Sequence, residues 1–390
     1  MSNFSLQLKG DKVIWGIYIL LSMISLAVVY SASGYLAYKQ EDNYALQYLF
    51  KQLGIVVIGF VVMYLMHRIK FTYFSIGSKI LIWFVVPVLL LTILLGTNIN
   101  NASRWLMIPG INISFQSSDF AKIVLLTYLA RSLSKLPEKY RENKNTLQYV
   151  LLHIFAPTLL ITAIILQSNL STAALIFVSA FFLMVIGNVK SKYLLSLAGS
   201  GIIIAAFAFL LVKVNPNIIP RFDTWVSRIE NFNSDDPDAN YQVLQAKIAI
   251  ASNPVIGKLP GKSSQRAFLP SAHADFIYAI IIEEYGTLVG FFIIFLYLSL
   301  FFRALIIAKH CQTHFGALLV VGLMFTIVFQ AMVNMAVAVN LLPVTGQPLP
   351  LLSSGGTSFM FTSMALGMIQ SVKAGSSIKV NPDAANDNQE

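Results

Sequence analysis

The sequence predicts an all-α polytopic membrane protein with about ten transmembrane helices. Three observations lead to this fold class. Of the 390 residues, 56% are hydrophobic and only 11% are charged, whereas soluble proteins carry about 25% charged residues. Apolar stretches recur that reach the roughly 20 residues of a helical span, because backbone polar groups in hydrocarbon can pair only within a helix or a closed barrel. Basic residues also cluster in alternate short loops, as in membrane proteins.

Ten segments qualify as spans, and together with their loops they take up almost the whole chain. They are approximately residues 13–33, 50–66, 79–96, 119–133, 149–166, 170–187, 193–212, 276–302, 316–339 and 358–372. The chain therefore divides into a polar N-terminus (1–12), one membrane domain (13–372) and a polar tail (373–390) that we expect to be disordered. A large hydrophilic loop, residues 213–275, separates the seventh span from the eighth.

Four short loops are rich in basic residues, and all four fall on one side of the predicted bundle, whereas the alternate short loops carry few, mainly Lys39, Lys51 and Arg104. The basic residues of the four loops are Arg68, Lys70, Arg131, Lys135, Lys139, Arg141, Lys144, Lys190, Lys192, Arg303 and Lys309. By the positive-inside rule this side is cytoplasmic, so both termini lie inside and the large loop lies outside. This topology accounts for the formal net charge of +10. Since no basic run lies on a soluble face, we expect no nucleic acid partner.

The large loop is longer than a simple connection, and loops beyond about 15 residues are usually functional or disordered. Apolar residues recur at helical spacing from Tyr241 to Ile250, which predicts a short amphipathic helix at the membrane interface. Residues 231–240 are acidic and rich in turn formers, and we interpret them as a surface tip. We expect the chemistry of the protein to lie in this loop.

Two pairs of residues beside the spans are candidates for chemistry. Asp275 lies where the large loop meets the eighth span, and a carboxylate at the edge of hydrocarbon is a candidate general base; the structural alternative is a helix cap. His273 either hydrogen-bonds a substrate or faces water. Asp119 and Lys122 share one face of a helix start and predict a structural ion pair, the alternative for Lys122 being to hold an anionic head group.

Four further basic residues are candidates to neutralise the phosphates of an anionic substrate, and they are Arg104, Lys258, Lys262 and Arg266. Arg104 precedes a tryptophan, so it either contacts phosphate or reaches the membrane interface. The other three alternate with glycines ahead of the candidate base, a pattern that suits anion binding and equally a solvated loop near anionic lipid. Glu283 and Glu284 fall inside the eighth span, where carboxylates are usually paired.

Prolines, glycines and serines fill the segment from Leu342 to Ser358, between the ninth and tenth spans. A membrane tolerates irregular backbone only where it lines a cavity or is buried in protein. We predict that the segment is a wall of the site, with Ser354, Gly355 and Gly356 close to substrate. No cluster of His, Cys, Asp or Glu has metal-ligand spacing, so we expect no tightly bound metal; an exposed site is compatible with a weakly bound divalent cation, Mg²⁺ or Mn²⁺.

Four groups of loop residues stand in an order that identifies a family. They are Ala102-Ser-Arg-Trp105 with Phe115-Gln-Ser-Ser-Asp-Phe-Ala-Lys122, Gln245-Ala-Lys-Ile-Ala-Ile250 leading to Gly257 and Gly261, Phe268-Leu-Pro-Ser-Ala-His-Ala-Asp-Phe276 with Glu283-Glu-Tyr-Gly286, and Leu342-Pro-Val-Thr-Gly346 through Ser354-Gly-Gly-Thr-Ser358. Together they resemble the SEDS family of membrane glycosyltransferases, typified by FtsW and RodA, over nearly the whole chain. The chain departs from the family in having Asp119 for its usual glutamate and Asn169 for an aspartate that members often carry.

The resemblance implies a peptidoglycan glycosyltransferase that polymerises lipid II at the outer face of the cytoplasmic (inner) membrane, with its active site facing the periplasm or cell exterior. It implies that Asp275 takes the proton from the acceptor sugar's 4-hydroxyl as undecaprenyl pyrophosphate leaves the donor. It also implies a class B penicillin-binding protein as partner. The motif around Arg104 favours the division type, with other divisome proteins as partners, over the elongation type.

Two other functions are compatible with the same residues. A lipid II flippase would use intramembrane charges such as Asp119, Lys122 and Glu283 for transport. A scaffold that only recruits the penicillin-binding protein would need no catalytic Asp275.

Overall fold

The computed structural model describes residues 8–39, 45–99, 102–108, 113–136, 138, 140, 146–214, 222–232, 240–252, 255–269 and 272–377, and its fold is that of an all-α polytopic membrane protein. In chain order the helices are α1 (Lys12–Lys39), α2 (Ala45–Arg68), α3 (Phe71–Leu95), α4 (Ser117–Ser134), α5 (Thr146–Ser168), α6 (Leu170–Ile186), α7 (Ser191–Val214), α8 (Phe222–Phe232), α9 (Tyr241–Ala251), α10 (Ile277–Tyr285), α11 (Thr287–Lys309), α12 (His314–Ala338) and α13 (Gly356–Ser377). Helix α5 contains a π-helical turn at Leu151–Phe155.

Six of the described helices, α1, α2, α3, α5, α11 and α12, are long and apolar enough to cross a membrane. The most buried of the six is α12, and α4 is likewise buried over most of its length. Both therefore lie in the middle of the bundle, where polar side chains can meet partners on neighbouring helices instead of lipid. The lipid-facing helices α2 and α3 expose large apolar side chains such as Phe50 and Trp83.

A three-stranded antiparallel sheet, which we did not predict from the sequence, connects α3 to α4. Strand β1 (Thr97–Ile99) pairs with β2 (Ala102–Ile108), and β2 pairs with β3 (Ile113–Gln116). In this register Trp105 lies opposite Gln116, the residue directly before α4. The sheet therefore places the motif around Arg104 next to the start of the helix that carries Asp119 and Lys122.

The predicted eighth span is wrong as a single helix, because the chain forms α10 and α11 with a break at Gly286. Gly286 has φ of 86°, and a Cβ there would lie 2.2 Å from the carbonyl oxygen of Val255. A Cβ on Gly257 would lie 2.1 Å from the carbonyl oxygen of Glu284. The backbone of the large loop thus packs directly against the break, and only glycine allows this approach from both sides. A helix is confirmed at the place predicted in the loop, as α9, whereas α8 was not predicted.

At the other end of the bundle, Asp11 joins the start of α1 to α11 and α13. Its Oδ1 accepts hydrogen bonds from the N–H groups of Val13 (2.9 Å) and Ile14 (3.2 Å). Its Oδ2 pairs with Arg303, and its backbone N–H donates to Gln370 Oε1 at 2.7 Å. The tail was predicted to begin at residue 373, but α13 continues to residue 377, and its last turns pack against Phe71 of α3 at Gly375. Residues 378–390 lie outside the described part.

Candidate active site

Asp275 lies in a turn, residues 272–276, directly before α10. Phe276 occupies the N-cap position, and its side chain makes no capping hydrogen bond. Asp275 Oδ2 lies 3.7 Å from the point where Gly346 would carry a Cβ, and Gly346 has φ of 66°. The carboxylate therefore faces the irregular segment that follows α12. This placement is compatible with the general base predicted for Asp275.

Asn334 of α12 joins the turn of Asp275 to the irregular segment. Its Nδ2 donates hydrogen bonds to the backbone carbonyls of Asp275 (2.8 Å) and Gln347 (2.7 Å), and the residue is only 1% exposed. One turn earlier, Gln330 Nε2 donates to the carbonyl of Pro348 at 3.0 Å. Residues four apart share one face of a helix, so this face of α12 holds the segment at two successive points.

Two serines hold the residues that precede Asp275. Ser353 Oγ donates to the carbonyl of Ala274 at 2.6 Å, and the backbone N–H of Ser354 donates to the carbonyl of His273 at 3.0 Å. The predicted substrate contacts at residues 354–356 therefore lie beside the turn of Asp275. Hydrogen bonds therefore join the irregular segment to the end of the large loop, although the two are far apart in sequence.

Two cationic side chains, Arg228 of α8 and Lys51 of α2, lie near the turn of Asp275. Burial lowers the pKa of Arg228 on α8, and the negative charge of Asp275 opposes this shift, so the guanidinium lies within electrostatic reach of the carboxylate. Burial also lowers the pKa of His273, and the positive charge of Lys51 on α2 lowers it further. His273 is therefore a neutral imidazole near pH 7, with one nitrogen that donates and one that accepts a hydrogen bond.

A cavity of about 380 Å³ lies beside Arg228, between α8, α9 and the turn that follows α12. Its described wall contains Gln242 of α9 and Val344 of the irregular segment. Val344 lies two residues before Gly346, which faces the carboxylate of Asp275. The cavity is thus adjacent to the candidate base, on the side of the large loop.

Asp119 and Lys122, near the start of α4, are connected to the irregular segment through Gln330 of α12. Lys122 Nζ lies 3.2 Å from Asp119 Oδ1, which makes an ion pair. The same ammonium donates to Gln330 Oε1 at 2.9 Å. Since Gln330 in turn holds the carbonyl of Pro348, a chain of polar contacts runs from α4 through α12 to the irregular segment. These contacts favour a structural role for Lys122.

The loop residues 255–267 are clamped to α1 and α10 by the two buried glutamates. Lys258 Nζ lies 2.8 Å from Glu283 Oε1. Glu284 accepts a hydrogen bond from the hydroxyl of Ser31, and Arg266 Nη1 donates to the carbonyl of Ser31 at 3.1 Å. Both carboxylates are almost inaccessible to solvent. These partners favour a structural role for Lys258 and Arg266 over the substrate binding predicted from sequence.

For two of the predicted substrate contacts, Lys262 and Arg104, the structure gives a location but no described side-chain partner. Lys262 is exposed on the loop, and Arg104 lies in β2 with its side chain outside the described part. Within the described ranges, no group of three or more His, Cys, Asp or Glu side chains is placed to hold a metal ion.

Arg228 and Asn334 are site residues that we did not predict from the sequence. A signal existed for Asn334, because it and Gln330 are carboxamides four residues apart in an otherwise apolar span, and such polar residues in a membrane helix are usually functional. The signal for Arg228 was weaker: Trp225, Val226 and Ile229 stand at helical spacing around it, which indicates an amphipathic helix but not which residue faces the site.

Comparison with known proteins assigns this architecture to a family. A model for cell cycle proteins of the FtsW, RodA and SpoVE type matches residues 11–378. The chain is 30% identical over 370 residues to a probable peptidoglycan glycosyltransferase FtsW from Trichlorobacter lovleyi, which covers 94% of this chain and 93% of the relative. It is 33% identical over 367 residues to the peptidoglycan glycosyltransferase MrdB of Escherichia coli, covering 93% of each.

Solved structures share the fold. One is a chain of a peptidoglycan synthase complex that coordinates polymerization and crosslinking, with a TM-score of 0.70 and 22% identity over 94% of this chain and 98% of that chain. Another is the rod shape determining protein RodA of Thermus thermophilus, with a TM-score of 0.64 and 22% identity over 95% of this chain and 98% of that chain.

Proposed function

The chain belongs to the FtsW, RodA and SpoVE family of cell cycle proteins, and from this premise we propose that it is a peptidoglycan glycosyltransferase acting in septal wall synthesis. Relatives named for this activity align with more than nine tenths of the chain. The observation that carries the proposal is the placement of the Asp275 carboxylate against Gly346, in a turn fixed by Asn334. A carboxylate held in this way has the geometry of a general base.

The reaction joins two molecules of lipid-linked disaccharide peptide. The 4-hydroxyl oxygen of the acceptor sugar attacks the anomeric carbon of the donor, and Asp275 takes the hydroxyl proton. A glycosidic bond forms as the bond from the anomeric carbon to undecaprenyl pyrophosphate breaks, and the leaving group departs with the electron pair. Cationic groups of the site, for which Arg104 and Lys262 are the candidates, offset charge as it develops on the pyrophosphate.

The contacts of the remaining site residues separate them into two groups, one that we assign to substrate binding and one that we assign to positioning. We assign substrate binding to Arg104, Lys262, His273 and residues 354–356, which stand in the family motifs or beside the turn of Asp275. Lys122, Lys258 and Arg266 hold other parts of the protein, so we assign them to positioning the loop and the irregular segment. Any weakly bound divalent cation would meet the pyrophosphate of the substrate.

The outward face of the cytoplasmic membrane is the proposed place of the reaction. Ser31, in the last part of α1, contacts Glu284 of the helix that follows Asp275. Asp11, at the start of α1, pairs with Arg303 at the opposite end. Arg303 lies in the last two turns of α11, next to the basic end of this helix at Lys309. Basic residues at the ends of spans mark the cytoplasmic side, so the end that holds Asp275 faces outward.

A class B penicillin-binding protein is the proposed partner, with other divisome proteins around it. Support comes from the shared fold with a chain of a peptidoglycan synthase complex that coordinates polymerization and crosslinking. Relatives named FtsW support the division role. The charges that would suit a flippase are paired inside the protein, Asp119 with Lys122 and Glu283 with Lys258, which favours the polymerase.

A lipid II polymerisation assay on the purified protein with its partner tests the proposal. Asp275→Asn removes the base but keeps the side-chain size, and the rate should fall at least about 100-fold with an unchanged thermal unfolding midpoint. Glu230→Gln, an exposed carboxylate on α8, is the matched control and should keep the rate. Polymerisation by Asp275→Asn at the rate of the unmodified protein would exclude this residue as the base.

A further inference from the structure

The cavity beside Arg228 has a wall of unusual composition for a protein this apolar. Carboxamide side chains from α8, α9 and the turn after α12 line it; they are Asn231, Asn240, Gln242 and Asn340. The aromatic side chains of Phe232 and Tyr241 also line it. Among the described residues of the wall, Arg228 is the one charged side chain. This mixture of carboxamide, aromatic and guanidinium groups indicates a polar ligand and not a lipid chain.

Carboxamides each supply a donor and an acceptor, which matches the hydroxyl and acetamide groups of an amino sugar. Aromatic side chains supply flat apolar faces with a polar edge, which suit the C–H faces of a sugar ring. The guanidinium of Arg228 matches a carboxylate or phosphate carried by the same ligand. The volume of about 380 Å³ falls in the roughly 300–1,000 Å³ range of small-molecule sites.

The position of the cavity relates it to the reaction. Arg228 is within electrostatic reach of Asp275, and Val344 in the wall precedes Gly346, which faces the same carboxylate. A sugar bound in the cavity would therefore be adjacent to the sugar that reacts at Asp275. The described wall belongs to two helices of the large loop and to the turn after α12, and none of its residues lies in the six helices long enough to cross a membrane.

We propose that this cavity is a subsite for an N-acetylated saccharide that adjoins the reacting sugar, with Arg228 binding its anionic group. The proposal rests on the proposed function, because the identity of the sugar comes from peptidoglycan chemistry. Two sources supply the same chemistry, namely the lipid-free part of the glycan strand and the disaccharide of the lipid-linked substrate.

Binding is measured on the full-length protein in nanodiscs, with a lipid-free tetrasaccharide of alternating N-acetylglucosamine and N-acetylmuramic acid as the probe. This probe has no lipid pyrophosphate leaving group, so no turnover occurs. Gln242→Ala and Arg228→Gln should each weaken its binding about five- to tenfold, the value of one lost hydrogen bond or ion pair. Glu230→Gln, on the same helix as Arg228 and exposed, should bind as the unmodified protein does. Gln242 is exposed on α9, so its substitution leaves the fold intact.

A lipid II polymerisation assay on the same proteins separates the two sources. An unchanged KM for lipid II with weaker tetrasaccharide binding assigns the cavity to the strand, whereas a raised KM assigns it to the sugar of the lipid-linked substrate. Tetrasaccharide binding and KM both within twofold of the unmodified protein would overturn the subsite. If the unmodified protein binds the tetrasaccharide but does not polymerise lipid II, the proposed function fails while the saccharide site stands.

Discussion

The side-chain amide of Asn334 donates a hydrogen bond of 2.8 Å to the backbone carbonyl of Asp275. The second amide hydrogen reaches the carbonyl of Gln347 at 2.7 Å, so a single buried group connects the turn of the candidate base to the wall opposite it. Two carbonyls require two donors, which only the NH₂ end of the carboxamide supplies. Asn334 is therefore a positioning residue for Asp275.

Replacing Asn334 tests this positioning role. Asn334→Ala and Asn334→Asp both remove the NH₂ donors, and leaving two buried carbonyls unpaired should lower the free energy of unfolding by about 1–3 kcal/mol. The turn would shift, and a misplacement of about 1 Å costs on the order of 100-fold in rate. We expect kcat for lipid II polymerisation to fall by this factor with little change in KM.

Thr326→Val is the matched control for Asn334, because Thr326 is buried on the same helix but donates only to the carbonyl of Gly322 within it. It should keep kcat. A normal kcat for Asn334→Ala in folded protein would show that the turn of Asp275 does not depend on this amide.

Gly346→Ala places a methyl group against the candidate base. The added Cβ would lie 3.7 Å from Asp275 Oδ2, an ordinary contact that blocks the approach of an acceptor hydroxyl. Positive φ makes the substitution cost about 1–2 kcal/mol of stability. Gly261→Ala carries the same strain, with φ of 80°, and its Cβ would meet no atom within 4 Å. We expect similar losses in thermal stability from both, but a rate loss of about tenfold or more from Gly346→Ala alone; equal rates would refute the steric interpretation.

Gly286→Ala tests the packing of the large loop on the break between α10 and α11. The new Cβ would lie 2.2 Å from the carbonyl oxygen of Val255, and a backbone atom cannot rotate away. Strain and overpacking together should lower the free energy of unfolding by about 3–5 kcal/mol, measured by thermal unfolding in detergent. Gly16→Ala, in α1 with open space around it, should be neutral or stabilising. A small change in the free energy of unfolding for Gly286→Ala would mean that the contact between the large loop and the break does not stabilise the protein.

Lys258 and Lys262 allow stability to be separated from substrate binding. Lys258→Met leaves the buried carboxylate of Glu283 without its ammonium partner, so the free energy of unfolding should fall by about 1–3 kcal/mol and KM for lipid II should change less than twofold. Lys262→Met should raise KM and leave stability unchanged, because Lys262 is exposed. Adding Glu283→Gln to Lys258→Met should recover stability. A raised KM with normal stability in Lys258→Met would restore its predicted role in substrate binding.

Much of the fold could be predicted from sequence, because spans are set by local hydrophobicity and their orientation by charged loops. The sheet between α3 and α4 could not, since its short strands carry no period-two pattern strong enough to separate them from a loop. The break at Gly286 could not be predicted either, because it depends on close backbone packing against the segment around Gly257, which is far away in sequence.

The candidate base could be predicted because Asp275 stands at a boundary that hydropathy alone defines. Its surroundings could not be predicted in the same way. Asn334 and Arg228 act on Asp275 from separate elements, α12 and α8, and only the fold determines which face each helix turns toward the carboxylate. For the same reason Lys258 was predicted to bind substrate, since its partner Glu283 meets it only after the loop has folded back on α10.

The pH dependence of stability should report on His273. Burial and the charge of Lys51 lower its pKa below the ordinary value of 6.5, so below that pH the unfolded chain binds more protons at this site than the folded chain does. Stability must then fall as the pH drops below about 6.5, whereas above it the site is neutral in both states. His273→Gln should reduce this loss when unfolding midpoints are compared at pH 7.5 and at about pH 5.5. Lys51→Met should reduce it only in part, because burial is the larger cause. An identical acid loss in the His273→Gln protein would mean that the imidazole is already protonated in the folded state.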